Sequence, residues 1–139
     1  MENNKEQRLS TLFKKYGLIK EDGFRLKRGN KVIPIITRTG IDKIQAYEKI
    51  KIKFELVEYN PEISAAVKAT AILNDNTVES YGEANTKNNK NAYPLAMAEK
   101  RAMSRVVLKL TGFYELGVFG EEASDTFKTQ ENFVNQINT

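Results

Sequence analysis

From Lys49 to Tyr59 the chain alternates between apolar and charged side chains. A period of two is the pattern of a half-buried β-strand, because successive side chains of a strand point to opposite faces. The apolar row comprises Ile50, Ile52, Phe54 and Leu56, and the charged row comprises Lys49, Lys51, Lys53 and Glu55. We therefore expect a strand whose apolar row lies on a core and whose charged row faces solvent.

Two more strands are predicted directly after this one. The Asn60-Pro61 pair turns the chain into a segment, 63 to 73, in which small apolar residues alternate with polar ones such as Lys68 and Thr70. Asn and Asp at 74 to 76 form a second turn, and residues 77 to 84 a third strand. The three segments predict an antiparallel meander.

Helices are expected on both sides of the meander. Pro94 suits the first position of a helix and Gly112 the position after its end, so residues 94 to 111 form the longest predicted helix, with an apolar arc that can cover a sheet. Glu99 projects into that arc. A shorter amphipathic helix is expected over residues 6 to 16.

The segment between the first helix and the meander is harder to assign. Residues 23 to 30 are predicted as a basic turn, and residues 31 to 37 as an edge strand or strap, because Pro34 cannot donate to a β-ladder. Thr37 or Thr39 is expected to cap a short helix through Ile41 and Ile44. The predicted class is α+β: a three-stranded antiparallel meander packed by a long C-terminal helix, with an N-terminal helix and an edge strap.

The absence of cysteine and histidine restricts the chemistry. It excludes zinc fingers, disulfides, and Cys or His nucleophiles, and no phosphate-binding glycine motif is present. We expect a protein without enzymatic activity. No apolar run approaches the ~20 residues of a membrane span and the start is too polar for a signal peptide, so a cytoplasmic location is expected.

Charge is distributed unevenly along the 139 residues. The chain has 22 basic and 18 acidic residues, but from Leu116 onward there is one base against four acids. Residues 1 to 115 therefore hold 21 bases and 14 acids, a net charge of +7. We expect a single nucleic-acid-binding domain over residues 1 to 119 and an acidic, flexible tail over residues 120 to 139.

Several basic residues are candidates for contact with a phosphate backbone. Three recur every fourth residue on the long helix, three alternate on the first meander strand, and others lie on the second strand, in the loop before the helix and on the helix flank. They are Lys49, Lys51, Lys53, Lys68, Lys87, Lys90, Lys100, Arg101, Arg105 and Lys109. The alternative for the helical row is an ordinary solvated face. Tyr81 and Tyr93 are candidates for base stacking, although most tyrosines are core or rim residues.

The long helix has the form Ala98-x3-Ala102-x3-Val106-x3-Leu110-x-Gly112 and follows three antiparallel strands. In this it resembles the single-strand annealing proteins of phage recombination, of the Erf and Rad52-like type, whose helix carries small residues at every fourth position and a Leu-x-Gly end. The resemblance covers residues 49 to 112. It implies a ring or helical oligomer that holds single-stranded DNA in a groove between sheet and helix, with no cofactor.

Two other functions fit the same sequence. A double-stranded RNA-binding fold also runs helix, three strands, helix. A structural or inhibitory module is the third possibility, and it would bind another protein through Met97, Leu108 and the tail. Met97 and Leu108, expected on the exposed side of the helix, together with an open sheet edge near Pro34, also predict self-association.

Overall fold

The computed structural model describes residues 2–87 and 93–122, and it confirms the α+β class. Within these residues the chain forms three α-helices, two three-stranded sheets and two short 3-10 turns. The helices are α1 (Glu2–Lys15), α2 (Arg38–Glu48) and α3 (Pro94–Leu110). The strands are β1 (Gly23–Arg28), β2 (Lys31–Ile36), β3 (Lys51–Asn60), β4 (Ser64–Leu73), β5 (Asn76–Ala84) and β6 (Phe119–Gly120).

The larger sheet is the antiparallel arrangement β3-β4-β5. Its register places Phe54 opposite Ala69 and Tyr81 opposite Lys68, and a bulge interrupts β3 between Leu56 and Glu58. One face of β4, made of small apolar residues, is fully covered by α3. This face comprises Ala65, Val67, Ala69 and Ala71.

Helix α3 approaches β5 so closely that only small residues fit between them. A Cβ atom added at Gly82 would lie 2.0 Å from the carbonyl oxygen of Ala98 and 2.5 Å from the backbone nitrogen of Ala102. Both alanines are fully buried. The small residues at every fourth position of the helix therefore allow backbone-to-backbone packing on the sheet.

The other side of α3 is buried as well. Leu108 is only 1% exposed and Met97 is partly buried, so the expectation that both are exposed is wrong. Outside the larger sheet, α3 contacts α2, β6 and the 3-10 turn Tyr114–Leu116, and the rings of Phe13 and Phe113 in the same core are in edge contact. Glu99, by contrast, is exposed and does not enter the core.

The second sheet, β1-β2-β6, was not foreseen. The segment predicted as a basic turn is mostly strand β1, which forms a hairpin with β2 through Gly29 at φ +61°. Strand β2 is not an edge strand throughout, because Ile35 and Ile36 pair in parallel with β6. Pro34 lies just outside this parallel pairing, where its missing N–H costs no hydrogen bond to β6.

Helix α2 is capped as the sequence predicts. The Thr37 hydroxyl accepts a hydrogen bond from the Gly40 backbone nitrogen at 3.2 Å. No helix in the described ranges has both the length and the apolar character needed to cross a bilayer.

The residues just after β6 belong to the folded body. The Glu121 carboxylate accepts a hydrogen bond from the Arg38 backbone nitrogen at 2.5 Å. Glu122 is 5% exposed and accepts from the Ser104 hydroxyl at 3.0 Å. The boundary predicted at residue 120 is therefore too early by at least three residues, and the rest of the predicted tail, residues 123 to 139, lies outside the described part of the chain.

Candidate nucleic-acid interface

The basic row of α3 lies along the free edge of β5. Arg101 Nη1 donates to the carbonyl oxygen of Glu83 at 2.7 Å, and Arg105 Nη1 donates to the carbonyl oxygen of Tyr81. Lys109 Nζ donates to the Ser80 hydroxyl at 3.3 Å. Residues four apart lie on one side of a helix, so the row follows the strand. It protects carbonyl groups that would otherwise be open to another strand.

The three members of this row are not equally available to a ligand. Arg101 is 5% exposed, so its prediction as a DNA-contact residue is not supported by its position. Arg105 and Lys109 are exposed, and Lys109 Nζ also lies 5.2 Å from the ring centroid of Tyr114. Lys100 is exposed on a separate flank of the helix, as predicted.

An exposed tyrosine lies next to this row. Tyr81 is 50% exposed on the sheet face that points away from α3. The backbone carbonyl oxygen of Tyr81 accepts a hydrogen bond from Arg105, and Lys68 lies opposite Tyr81 on β4. Lys68 forms an ion pair with Glu79 at 3.3 Å, and the hydrogen bond to this carboxylate and its charge raise the pKa of Lys68. An exposed aromatic ring with cations near its strand is a combination that single-stranded nucleic-acid sites use, with bases stacked on the ring and phosphates bound by the cations.

The lysine row predicted on the first meander strand is only partly formed. Lys49 is not in β3; it ends α2 in the left-handed conformation, at φ +56°. Lys51 and Lys53 are exposed on the face opposite α3, as expected. That face also carries Lys68 and four glutamates, Glu55, Glu58, Glu79 and Glu83. With three lysines against four glutamates the face is mixed in charge and does not form a basic surface.

The loop before α3 is described only in part. Lys87 is exposed, and its backbone nitrogen donates to the Asn85 side chain at 2.9 Å. Lys90 lies outside the described residues. Tyr93, at the start of α3, is 70% exposed.

A second basic region lies in the N-terminal third of the chain, where the sequence predicts a basic turn but where no residue was a candidate for phosphate contact. Residues 1 to 31 contain nine basic and four acidic residues. One of these bases, Arg25, donates a hydrogen bond to the carboxylate of Glu6. This hydrogen bond and the charge of Arg25 hold the pKa of Glu6 below its usual value. At the exposed tip of the β1-β2 hairpin, Arg28 lies directly opposite Lys31 in the ladder. The density of Lys and Arg between residues 25 and 31 was the available signal.

Comparison of this chain with protein-family models, with curated proteins and with solved structures gives no match. Within the described residues there is no group of three or more carboxylate, thiol or imidazole side chains placed to hold a metal ion.

Proposed function

We propose that this protein is a non-enzymatic single-stranded DNA-binding and annealing protein of phage-type homologous recombination, acting as a homo-oligomer in a ring or filament. The observation that carries the proposal is the half-exposed Tyr81 on the outer strand of the sheet, with Lys68 opposite it on the neighbouring strand and Arg105 hydrogen-bonded to its backbone carbonyl.

The arrangement suits a strand that is held by its backbone. Phosphates bind Arg105 and Lys109 along the β5 edge, and one base stacks on Tyr81. Stacking is tolerant of sequence because every base has a flat face. The Watson–Crick edges of the other bases stay open, which is what pairing with a second strand requires.

The test is a comparison of single-stranded DNA, duplex DNA and duplex RNA by fluorescence anisotropy, over salt from about 50 to 200 mM, with an annealing assay in parallel. Tightest binding of single-stranded DNA, weakening steeply with salt, is expected. Preference for duplex RNA would instead support the RNA-binding alternative, and binding of none of the three would leave the protein-binding module.

The site itself is tested at Tyr81. Tyr81→Ala should weaken single-stranded DNA binding by roughly 1–3 kcal/mol, the usual value of one stacked base, whereas Tyr81→Phe keeps the ring and should bind almost normally. Ile72→Ala is the matched control, because Ile72 is 40% exposed on the same sheet face and has no ring to stack. Equal affinities for all three variants would remove Tyr81 from the interface.

A further inference from the structure

The apolar row of β3 is largely uncovered. Phe54, Leu56 and Tyr59 are 42%, 53% and 46% exposed, although they lie on the same face as the buried row of β4. The reason is geometric: a helix about 10 Å wide covers about two strands spaced about 4.8 Å apart, and α3 packs on β4 and β5. The expectation that this row is buried is therefore wrong beyond the half-buried Ile52.

The two edges of the larger sheet also differ in how far they are covered. The free edge of β5 is covered by the basic row of α3. The free edge of β3 has no strand or side chain hydrogen-bonded to it among the residues that the structure describes. A ten-residue edge with an exposed apolar row is a template for another strand.

The sequence of β3 is complementary to itself in one antiparallel register. With Phe54 opposite Phe54 of a second copy, Lys53 faces Glu55 twice and Ile52 faces Leu56 twice. A centre at Lys53 or at Glu55 places identical charges opposite each other, and a centre at Ile52 places Lys51 opposite Lys53. Shifting by one residue mixes the apolar and charged faces. Like charges directly across a ladder destabilise it, and opposite charges stabilise it.

We propose that β3 pairs with β3 of a second copy of this chain, antiparallel and centred on Phe54. The bulge after Leu56 limits the pairing to the first part of the strand. The two-fold axis is perpendicular to the sheet, so both α3 helices lie on one side of a six-stranded sheet. The contact forms with or without DNA.

The pairing has a consequence for the proposed annealing function. The two β5 edges become the outer edges of the joined sheet, about 24 Å apart at about 4.8 Å per strand. Each edge carries its own Tyr81 and Arg105. One dimer thus holds two strands on one particle. A ring or filament would need a second contact besides this one.

Charge reversal at Lys53 and Glu55 tests the register. Lys53→Glu or Glu55→Lys alone places like charges opposite each other at both positions and should give smaller particles than the wild type in sedimentation velocity. The wild type should give at least twice the 15.8 kDa of the monomer. The double variant restores opposite charges and should dimerise. An equimolar mixture of the two single variants should also dimerise, because each supplies the charges that the other lacks.

Thermal unfolding shows whether each variant remains folded, and Lys53→Glu is the milder change because Lys53 lies opposite Thr70 within its own chain. A monomeric wild type would overturn the proposal, as would single variants that associate like the wild type or a double variant that stays monomeric. A larger wild-type assembly overturns it only if the single variants leave its size unchanged; reduction of the size supports it. Because DNA binding is measured separately, loss of DNA binding leaves this test intact.

Discussion

Two arginines one helical turn apart on α3 are expected to have different roles. Arg101 is buried, and its guanidinium donates a hydrogen bond to the carbonyl oxygen of Glu83. Arg105 is exposed and donates to the carbonyl oxygen of Tyr81. Sequence spacing alone treats them as equivalent. Their exposure separates a stabilising side chain from one that a ligand can reach.

Arg101→Ala should lower the free energy of unfolding by about 1.5–3 kcal/mol, because a buried charged hydrogen bond is lost. Arg105→Ala should change stability little but reduce the salt dependence of single-stranded DNA binding by about one phosphate contact. Urea unfolding and anisotropy titrations on both variants check this. The reverse assignment, with Arg105→Ala unstable and Arg101→Ala weak only in binding, would contradict it.

Asp22 links the 3-10 turn Lys20–Asp22 to α2. It is 3% exposed, and its carboxylate accepts hydrogen bonds from Lys43 Nζ at 2.7 Å and from the Ile19 backbone nitrogen at 2.9 Å. Burial raises the pKa of Asp22. The hydrogen bonds from Lys43 and Ile19 and the charge of Lys43 together lower it by more, so the pKa of Asp22 is below its usual value. The stabilisation is therefore present above the unfolded pKa of about 3.9 and is lost as the pH falls through the lower folded pKa.

Asp22→Asn should accordingly cost about 1.5–3 kcal/mol of stability near pH 7 and much less near pH 2. Urea unfolding at the two pH values measures the difference. Asp42→Asn is the control: its carboxylate is 57% exposed and 3.5 Å from Arg38, so its loss should change stability by less than about 1 kcal/mol. A cost at Asp22 that is independent of pH would show that the charge is not responsible.

At the scale of elements, the contact between α3 and β5 determines the height of the helix above the sheet. Gly82→Ala would force its Cβ against the backbone of Ala98 and Ala102, so α3 would have to move away from the sheet. We expect a loss of about 3 kcal/mol or more, at the upper end for overpacked cores. Thr77→Ala, an exposed position on the same strand, should stay within about 0.5 kcal/mol of the wild type. Comparable melting temperatures for the two variants would disprove the close packing.

The hairpin β1-β2 carries part of the positive charge of residues 1 to 115, away from the larger sheet. Its tip carries exposed Lys27 and Lys31, and it lies in a different sheet from Tyr81. If single-stranded DNA binds along β5 as proposed, this tip is a separate basic surface. The net charge of residues 1 to 115 is therefore divided between at least two elements.

For the whole molecule, the C-terminal residues decide what truncation does. Removing residues after Gly120 deletes Glu121 and Glu122, which hold the start of α2 and the Ser104 hydroxyl, and Glu122 Oε1 lies 3.7 Å from Arg38 Nη1. Ending the chain after Glu122 keeps these contacts. Residues 123 to 139 contain two acids and one base, so we expect them to compete only weakly with DNA for the basic residues.

The chain ending at Gly120 should lose about 2 kcal/mol or more of stability, whereas the chain ending at Glu122 should match the full chain in both unfolding and single-stranded DNA binding. Thermal melts and anisotropy titrations of the three proteins distinguish the outcomes. Tighter DNA binding by the chain ending at Glu122, with a difference that fades as salt is added, would contradict this and indicate that residues 123 to 139 compete with DNA.

The elements that can be predicted from the sequence are those whose signals are local. The alternation in β3 and β4, the turn at Asn74, the proline and glycine around α3 and the Thr37 cap all act within a few residues. These features fix backbone conformation wherever the rest of the chain lies. The α+β class followed from them.

Which surfaces are covered depends on tertiary packing. Periodicity identifies the apolar side of β3, but the width of α3 leaves that side exposed, and a row of cations on α3 becomes partly buried because β5 lies beneath it. Strand β6 has two residues and is too short to give a periodic signal. It forms through pairing with Ile35 and Ile36 of β2. Burial and edge pairing depend on residues far apart in the chain, and hydrophobic patterns carry no information about which neighbour is present.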